Sequence, residues 1–167
     1  DGTTAAIKIG VNGPGGVCTP GADDIVTFNP GVYIVNGGGI DWKHSCVQGT
    51  GVTFYFTATT TTHDYDNCGG KIIDTDGPDV FNLSAPTSGA YEGLLFVQNR
   101  TLAGPGGTNC NTLNNPVVAK LVPDVFQING VIYFPTNNIT YGATTVGSGV
   151  YTVLIGPGRI MGNQLLP

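Results

Sequence analysis

One phrase recurs along this 167-residue chain: a glycine followed at once by a short run of β-branched and aromatic residues. The glycines that open these runs are Gly31, Gly51, Gly70, Gly93, Gly130 and Gly149. Their spacing is nearly even, apart from the interval between Gly93 and Gly130, which is close to two repeats. The period of about 20 residues is typical of solenoids, in which each repeat buries its apolar face against the next. We therefore expect an all-β fold, a right-handed β-helix with coils of about 20 residues or a multiple, whose glycines take corners that need positive φ.

The fold alternative is a β-sandwich, which also produces short strands with frequent turn signals. The constancy of the glycine-then-apolar phrase favours the solenoid, and no sustained helical periodicity competes with it. We expect residues 1–167 to form a single domain that begins with an N-terminal segment, 1–24. Two polar segments rich in Thr, Asn and Gly, 57–69 and 100–116, interrupt the rhythm and are predicted to project as loops.

A run of three glycines at 37–39 raises the question of a phosphate-binding loop. A dinucleotide fingerprint needs G-x-G-x-x-G opening a helix, and a P-loop needs Gly-Lys followed by Ser or Thr. Neither pattern follows Gly39, because the next residues are Ile-Asp-Trp-Lys-His. The triplet is interpreted as a β-corner, and the sequence predicts no cofactor.

The excess of acidic over basic residues limits which classes of partner we expect. The chain has six Lys and Arg residues against 11 Asp and Glu, for a formal net charge of −5. Nucleic-acid binding needs clustered basic residues to neutralise phosphates, so we expect no nucleic-acid partner. No run of about 18 apolar residues is present, so no membrane span is expected in this fragment. The chain starts on Asp1 without an initiator Met and is interpreted as a mature or excised piece.

Four cysteines, Cys18, Cys46, Cys68 and Cys110, are predicted to form two disulfides in an oxidising compartment. Cys68 follows Gly51 at the same chain distance at which Cys110 follows Gly93. Equal offsets from equivalent corners place residues on one lateral face of a solenoid, within reach of a disulfide. We therefore favour Cys68–Cys110 with Cys18–Cys46 among the three pairings that four cysteines allow.

Two polar clusters are candidate metal sites. The stretch Asp74-Thr-Asp76-Gly-Pro-Asp79 supplies carboxylates that could bind Ca²⁺, although it lacks the rest of an EF-hand loop. A solvated turn, with Asp side chains bonded to nearby backbone amides, is the preferred interpretation. The second cluster contains His63, Asp64 and Asp66 and is interpreted as part of a surface loop.

Catalytic signals are weak. Glu92 is the one glutamate of the chain, whereas glycoside hydrolysis needs paired carboxylates. The serines Ser84, Ser88 and Ser148 lack a nucleophile-elbow pattern, and His44 has no evident partner. We expect no enzymatic activity.

The functional alternative is a polysaccharide-binding or polysaccharide-cleaving β-helix with an exposed aromatic groove. Its candidate residues are Trp42, Tyr55, Tyr91 and Tyr141.

Four segments carry a resemblance to a known family. They are FNPGVYIVNGGGI (28–40), GTGVTFYFT (49–57), FNLSAPTSGAYEGLLFVQNR (81–100) and INGVIYFPTNNITYGAT (128–144). Together they resemble the glycine-rich, β-helical region of bacterial pilus-assembly proteins of the Tad (tight adherence) type, related to TadE and TadG. The resemblance extends from about residue 25 to about residue 163, and 81–100 is its most specific part. Family members commonly carry an N-terminal hydrophobic anchor, which this sequence does not contain.

The resemblance implies an extracellular or envelope-associated protein that forms part of a fibre or adhesive appendage. No catalytic residues are carried over with it. A solenoid ends in unpaired strand edges, so we expect homo-oligomers that form through coil ends or strand edges. A surface glycan is the second expected partner.

Overall fold

In the computed structural model of the chain, the structure describes residues 7–8, 25–36, 40–41, 46–57, 71–100, 118–135, 138–141, 145–146, 152–156 and 160–161. Within those ranges it contains 13 strands. They are β1 (Ile7–Lys8), β2 (Ile25–Phe28), β3 (Gly31–Asn36), β4 (Ile40–Asp41), β5 (Cys46–Thr50), β6 (Val52–Thr57), β7 (Lys71–Ser84), β8 (Leu94–Gln98), β9 (Val118–Tyr133), β10 (Asn138–Tyr141), β11 (Thr145–Val146), β12 (Thr152–Ile155) and β13 (Ile160–Met161). The described part of the chain is therefore all-β, as the sequence predicts.

Every pairing among the described strands is parallel. The β-sandwich alternative predicts antiparallel neighbours joined by hairpins and Greek-key connections. No antiparallel pair occurs between the strands that the structure describes. The pairings therefore do not support the sandwich.

The pairings form three series, and each keeps apolar residues in register from strand to strand. The first series is β2–β5–β7–β9–β11, with Val26, Val47, Phe81, Phe126 and Val146 at matched positions. The second series is β3–β6–β8–β9–β12, with Tyr33, Phe54, Phe96, Ile132 and Leu154 at matched positions. The third series is β1–β4–β7–β9–β10–β13, with Ile7, Ile40, Ile73, Ala119, Ile139 and Ile160 at matched positions. The long strands β7 and β9 join the series, because their consecutive parts belong to different ones.

The number of residues between two register partners varies with the length of the connecting segments between them. Val26 pairs with Val47, and Phe126 pairs with Val146, across nearly equal lengths of chain. Val47 pairs with Phe81 across a longer stretch, and the excess corresponds to the segment 58–70. Some register partners are therefore separated by the interval of about 20 residues that the glycines predict, and others by longer stretches of chain.

A core of apolar side chains lies between the series. In the second series alternate residues point inward, and the rings of Tyr33, Phe54 and Phe96 stack with centroids 5.4 Å apart at each step. The buried cluster comprises Val35, Ile40, Val47, Val52, Phe54, Phe56, Leu83, Ala85, Leu95, Phe96, Ile128, Ile132 and Phe134. A continuous interior of this size removes enough apolar surface from water to hold short strands together.

Four of the marker glycines lie in the described part of the chain, and all four have positive φ. The φ angles are +154° at Gly31, +71° at Gly51, +74° at Gly93 and +150° at Gly130. The prediction that these glycines take positions unfavourable to other residues is confirmed there. Gly70, Gly149 and the triplet 37–39 lie outside the described residues.

The two predicted loops fall mostly outside the described residues. At their borders, Thr57 is the last residue of β6, and Arg100 follows the end of β8. A third interruption, residues 85–93, was not predicted. It connects β7 to β8 by turns, whereas the equivalent connection between β2 and β3 is the dipeptide Asn29-Pro30.

Candidate functional site

The outer side of the second series carries a column of apolar and aromatic residues. Because side chains alternate along a strand, the neighbours of the buried Phe54, Phe56 and Ile132 point outward. The outward residues in mutual register are Ile34, Tyr55, Val97, Tyr133 and Ile155. We call this column, together with Tyr91 and Arg100, the aromatic face.

The aromatic face is exposed at its two ends and closed at its middle. Ile34 is 67% exposed at one end and Ile155 is 45% exposed at the other. Val97, between the two tyrosine-bearing strands, is only 8% exposed. The half-buried Tyr55 and Tyr133 therefore flank a filled centre rather than an open pocket.

Tyr91 reaches the aromatic face from the turn segment 85–93. Its ring meets the Tyr55 ring edge to face, with centroids 6.2 Å apart and an interplanar angle of 70°. Aromatic pairs prefer this geometry because the positive edge of one ring faces the negative surface of the other. Tyr55 and Tyr91, two candidates that are distant in the sequence, are thus brought together.

Backbone hydrogen bonds hold the turn segment in place. The Gly93 amide donates to the Pro86 carbonyl over 2.8 Å, and the Glu92 amide donates to the Gly89 carbonyl over 3.2 Å. The Thr53 hydroxyl donates to the Leu94 carbonyl over 2.7 Å, just after the turn segment. Thr53 is fully buried, although it lies on the same side of β6 as the outward-pointing Tyr55. These bonds fix the position from which Tyr91 contacts Tyr55.

Arg100 reaches the other side of the face from the end of β8. Its Nε donates a hydrogen bond of 2.8 Å to the Tyr133 hydroxyl, and its Cζ lies 5.5 Å from the Tyr133 ring centroid. A guanidinium over a tyrosine ring gains cation–π attraction and loses side-chain freedom. Arg100 is exposed, so a pre-positioned positive charge faces solvent beside an aromatic ring.

The outer side of the first series is different. Its column in register is Thr27, Gln48, Asn82 and Gln127, all exposed and all polar. The Gln48 amide donates to the Thr27 hydroxyl over 2.9 Å. We call this column the polar face.

The remaining aromatic candidates do not join the site. Tyr141 ends β10 in the third series, where it pairs with Leu121, so it does not belong to the strand series that carries Tyr55. Trp42 lies outside the described residues.

The calcium candidates lie on a strand rather than in a loop. Asp74, Asp76 and Asp79 all belong to β7, an extended 14-residue element. Asp74 is in register with Asp41 on one side and Lys120 on the other, so a basic residue neighbours the acidic pair. The placement of these three side chains lies outside what the structure describes, and their metal binding stays a prediction. Where side chains are described, no group of three or more His, Cys, Asp or Glu could hold a metal ion.

Cys46 begins β5 and is disulfide-bonded. Its partner, the other three cysteines and the cluster of His63, Asp64 and Asp66 lie outside the described residues.

Five residues of the aromatic face were not predicted from the sequence, namely its three aliphatic residues, Tyr133 and Arg100. Tyr133 lies in an apolar run, so residue type alone suggests a core ring. Arg100 is an isolated basic residue at a segment border. The signal that could have found Tyr133 is its alternation with the apolar residues Ile132 and Phe134, which places it on the opposite side of the strand.

Comparison with models of protein families finds no family that matches the chain, and searches of curated proteins and of solved structures find no match either. Among the described residues there is no helix long and apolar enough to cross a membrane.

Proposed function

We propose that this chain is a parallel β-solenoid that serves as a non-catalytic structural unit of an extracellular fibre or adhesive layer. The observation that carries the proposal is the set of three in-register parallel series, linked by β7 and β9. Strands stacked at a basic interval of about 20 residues form coils, each lying on the one before it.

The extracellular location is supported by one covalent feature. Cys46 is disulfide-bonded, and structural disulfides persist in oxidising compartments. The resemblance of 81–100 and its companion segments to the Tad-type proteins agrees with a surface appendage, as a resemblance only.

Assembly is proposed to occur end to end. Among the described strands, β3 pairs with β6 alone and β12 pairs with β9 alone. An unpaired strand edge is a template for another strand, and a head-to-tail joint between unlike ends produces an open filament. In this proposal β12 of one copy adds to β3 of the next and continues the second series.

The edge of β3 offers a specific way to test this. The Gly31 amide donates to the Gly51 carbonyl of the neighbouring strand over 3.0 Å. Because the bonding direction alternates along a strand, the amides of Val32 and Ile34 face away from β6. Proline at position 34 removes one outward donor and no donor to β6, and proline is tolerated at such edge positions.

We expect the unmodified chain to form multimers or filaments at high concentration, seen by light scattering after gel filtration and by electron microscopy. Ile34→Pro should shift the population toward monomers. Ile34→Thr, which keeps the amide, should assemble like the unmodified chain. Circular dichroism and melting must show that both variants are folded. Dispersed monomers of the unmodified chain at high concentration, or full assembly of folded Ile34→Pro, would rule out the proposed joint.

A further inference from the structure

The two outer columns of the molecule differ in chemistry although they are built from the same kind of stacked strands. The polar face carries hydroxyl and amide groups, as expected for a surface in contact with water alone. The aromatic face carries two tyrosines in its column, a third tyrosine held by a turn, and two exposed isoleucines. Tyrosine rings grouped at a partly exposed surface offer an apolar body and a polar tip to a ligand.

The face has rings at a regular separation and a charge at one end. Tyr55 and Tyr133 lie two strand positions apart, with Val97 between them, so their backbones are roughly 10 Å apart. Tyr91 extends the ring surface beside Tyr55. Arg100, fixed by the Tyr133 hydroxyl and ring, supplies the positive charge.

From this geometry we infer that the aromatic face binds an acidic polysaccharide, with sugar rings lying against the tyrosines and a uronate carboxylate paired with Arg100. Tyr rings offer apolar surfaces with a polar tip, which suits the apolar faces and hydroxyl rims of sugars. An arginine guanidinium matches a carboxylate through paired hydrogen bonds, and the Arg100 Nε bond to Tyr133 leaves its terminal nitrogens available for that role.

The charges around the face give the ligand a direction. The exposed Glu92 follows Tyr91, whose ring contacts Tyr55, whereas Arg100 contacts Tyr133. A carboxylate is repelled there and attracted at Arg100, so the acidic group belongs at the Arg100 end. The formal net charge of −5 gives an acidic ligand no general attraction to the chain, so its binding must depend on this local charge.

The size of the face favours an extended chain of sugars over a second protein. The column crosses four strand spacings, roughly 19 Å, and is one residue wide in each strand. Stable protein interfaces bury about 800 Å² on each partner. The aromatic face is therefore too small for a stable protein dimer by itself, and an oligosaccharide covers it.

The experiment is titration calorimetry with a short oligogalacturonate and with its methyl ester, which keeps the sugar rings but removes the charges. We expect saturable binding of both, with the acid tighter and its affinity falling as salt is added. Arg100→Gln should weaken the acid about tenfold and leave the ester within about twofold, because only the acid loses a charge-assisted bond. Arg100→Lys should bind the acid more tightly than Arg100→Gln does but less tightly than the unmodified chain. Lysine keeps the positive charge but lacks the paired guanidinium donors.

A second variant separates the rings from the charge. Tyr55→Leu keeps apolar bulk but removes the ring, and it should weaken acid and ester alike. Gln127→Ala on the polar face is the matched surface control and should bind like the unmodified chain. Melting curves verify that each variant is folded.

The inference is overturned if neither oligomer binds. It is also overturned if folded Arg100→Gln and Tyr55→Leu bind both oligomers like the unmodified chain, or if Gln127→Ala weakens binding as much as they do. Concentration-dependent self-association that Tyr55→Leu abolishes, without any sugar binding, would assign the face to a second copy instead. The proposed joint is made by backbone groups of β3 and β12, and none of these three variants lies in either strand, so the filament test is scored separately with the Ile34 variants.

Discussion

At the scale of single residues, the marker glycines fall into two kinds. Gly31 and Gly130 have φ near +150° and occupy positions within a strand, whereas Gly51 and Gly93 have φ near +70° and come one residue before a strand. The third residue after the glycine points outward in the first kind, as at Tyr133, and inward in the second, as at Phe54. The same glycine-then-apolar pattern therefore turns different residues toward the core: the third residue after the glycine faces inward after Gly51 and Gly93 but outward after Gly31 and Gly130.

Gly130 should tolerate a methyl group far less well than Gly31. A Cβ at Gly130 would lie 2.8 Å from the Ala85 Cβ and 3.0 Å from the Leu95 Cβ, whereas a Cβ at Gly31 meets nothing within 4 Å. We expect Gly31→Ala to lower the free energy of unfolding by about 1–3 kcal/mol through backbone strain alone, because residues with a side chain rarely adopt its φ angle. Gly130→Ala should cost about 1–3 kcal/mol more, because the core must also move.

Chemical denaturation of the two variants measures this difference, and their similar φ angles make each the control of the other. Equal losses would show that Ala85 and Leu95 relax without cost and that the close packing at Gly130 has no energetic weight.

At the scale of elements, the inward column of the second series is an aromatic stack. The Phe54 ring lies between those of Tyr33 and Phe96 and also meets the Phe28 ring edge to face, with centroids 4.9 Å apart. Each ring thus links one strand to the next. The stack joins β3, β6 and β8 in addition to their backbone hydrogen bonds.

Removing the middle ring should therefore destabilise the whole stack. We expect Phe54→Ala to lower the free energy of unfolding by about 3–5 kcal/mol, since a fully buried ring leaves a cavity. Ile34→Ala, on the exposed side of the neighbouring strand, should change it by less than about 0.5 kcal/mol. Urea unfolding monitored by tyrosine fluorescence measures both. A loss of only about 1 kcal/mol for Phe54→Ala would mean that the stack rearranges to fill the space.

The sequence predicts the type of secondary structure better than the lengths and the register of the strands. The all-β class and the positive φ angles of Gly31, Gly51, Gly93 and Gly130 follow from the glycine-then-apolar phrase and are observed. The apolar runs that follow Gly70 and Gly130 lie in strands, but those strands, β7 and β9, are much longer than the runs. The register shift between Gly77 and Val80 accommodates Pro78, which would interrupt a regular ladder.

The aromatic face could be predicted only in part. Tyr55 and Tyr91 are candidates because they are aromatic, but their contact depends on the turn segment 85–93, whose path is set by tertiary hydrogen bonds. Tyr133 and Arg100 depend on the register between β8 and β9, which are far apart in the chain. A register of that range follows from packing rather than from local sequence.

At the scale of the whole molecule, the predicted disulfides would connect distant parts of the chain. Cys46 is bonded, and the favoured partner from the spacing argument is Cys18. We expect peptide mapping without reduction to recover a Cys18–Cys46 link and a Cys68–Cys110 link. A double Cys18→Ser, Cys46→Ser variant should lose about 3–4 kcal/mol of stability, because a loop of that length is no longer closed in the unfolded chain. A link from Cys46 to Cys68 or Cys110 would contradict the pairing.

The parallel register has a consequence for how such a chain can change. Twice as much chain separates Phe54 from Phe96 as separates Tyr33 from Phe54, yet the two pairs of rings stack at the same centroid distance. The stacking is therefore indifferent to the amount of chain between two layers. We expect that a peptide inserted between two paired strands leaves the stacking of their rings unchanged. Such connections are therefore the places where the chain should accept insertions or grafted peptides. The connection 85–93, which carries Tyr91 onto its neighbour's ring, is one such insert that has gained a contact of its own.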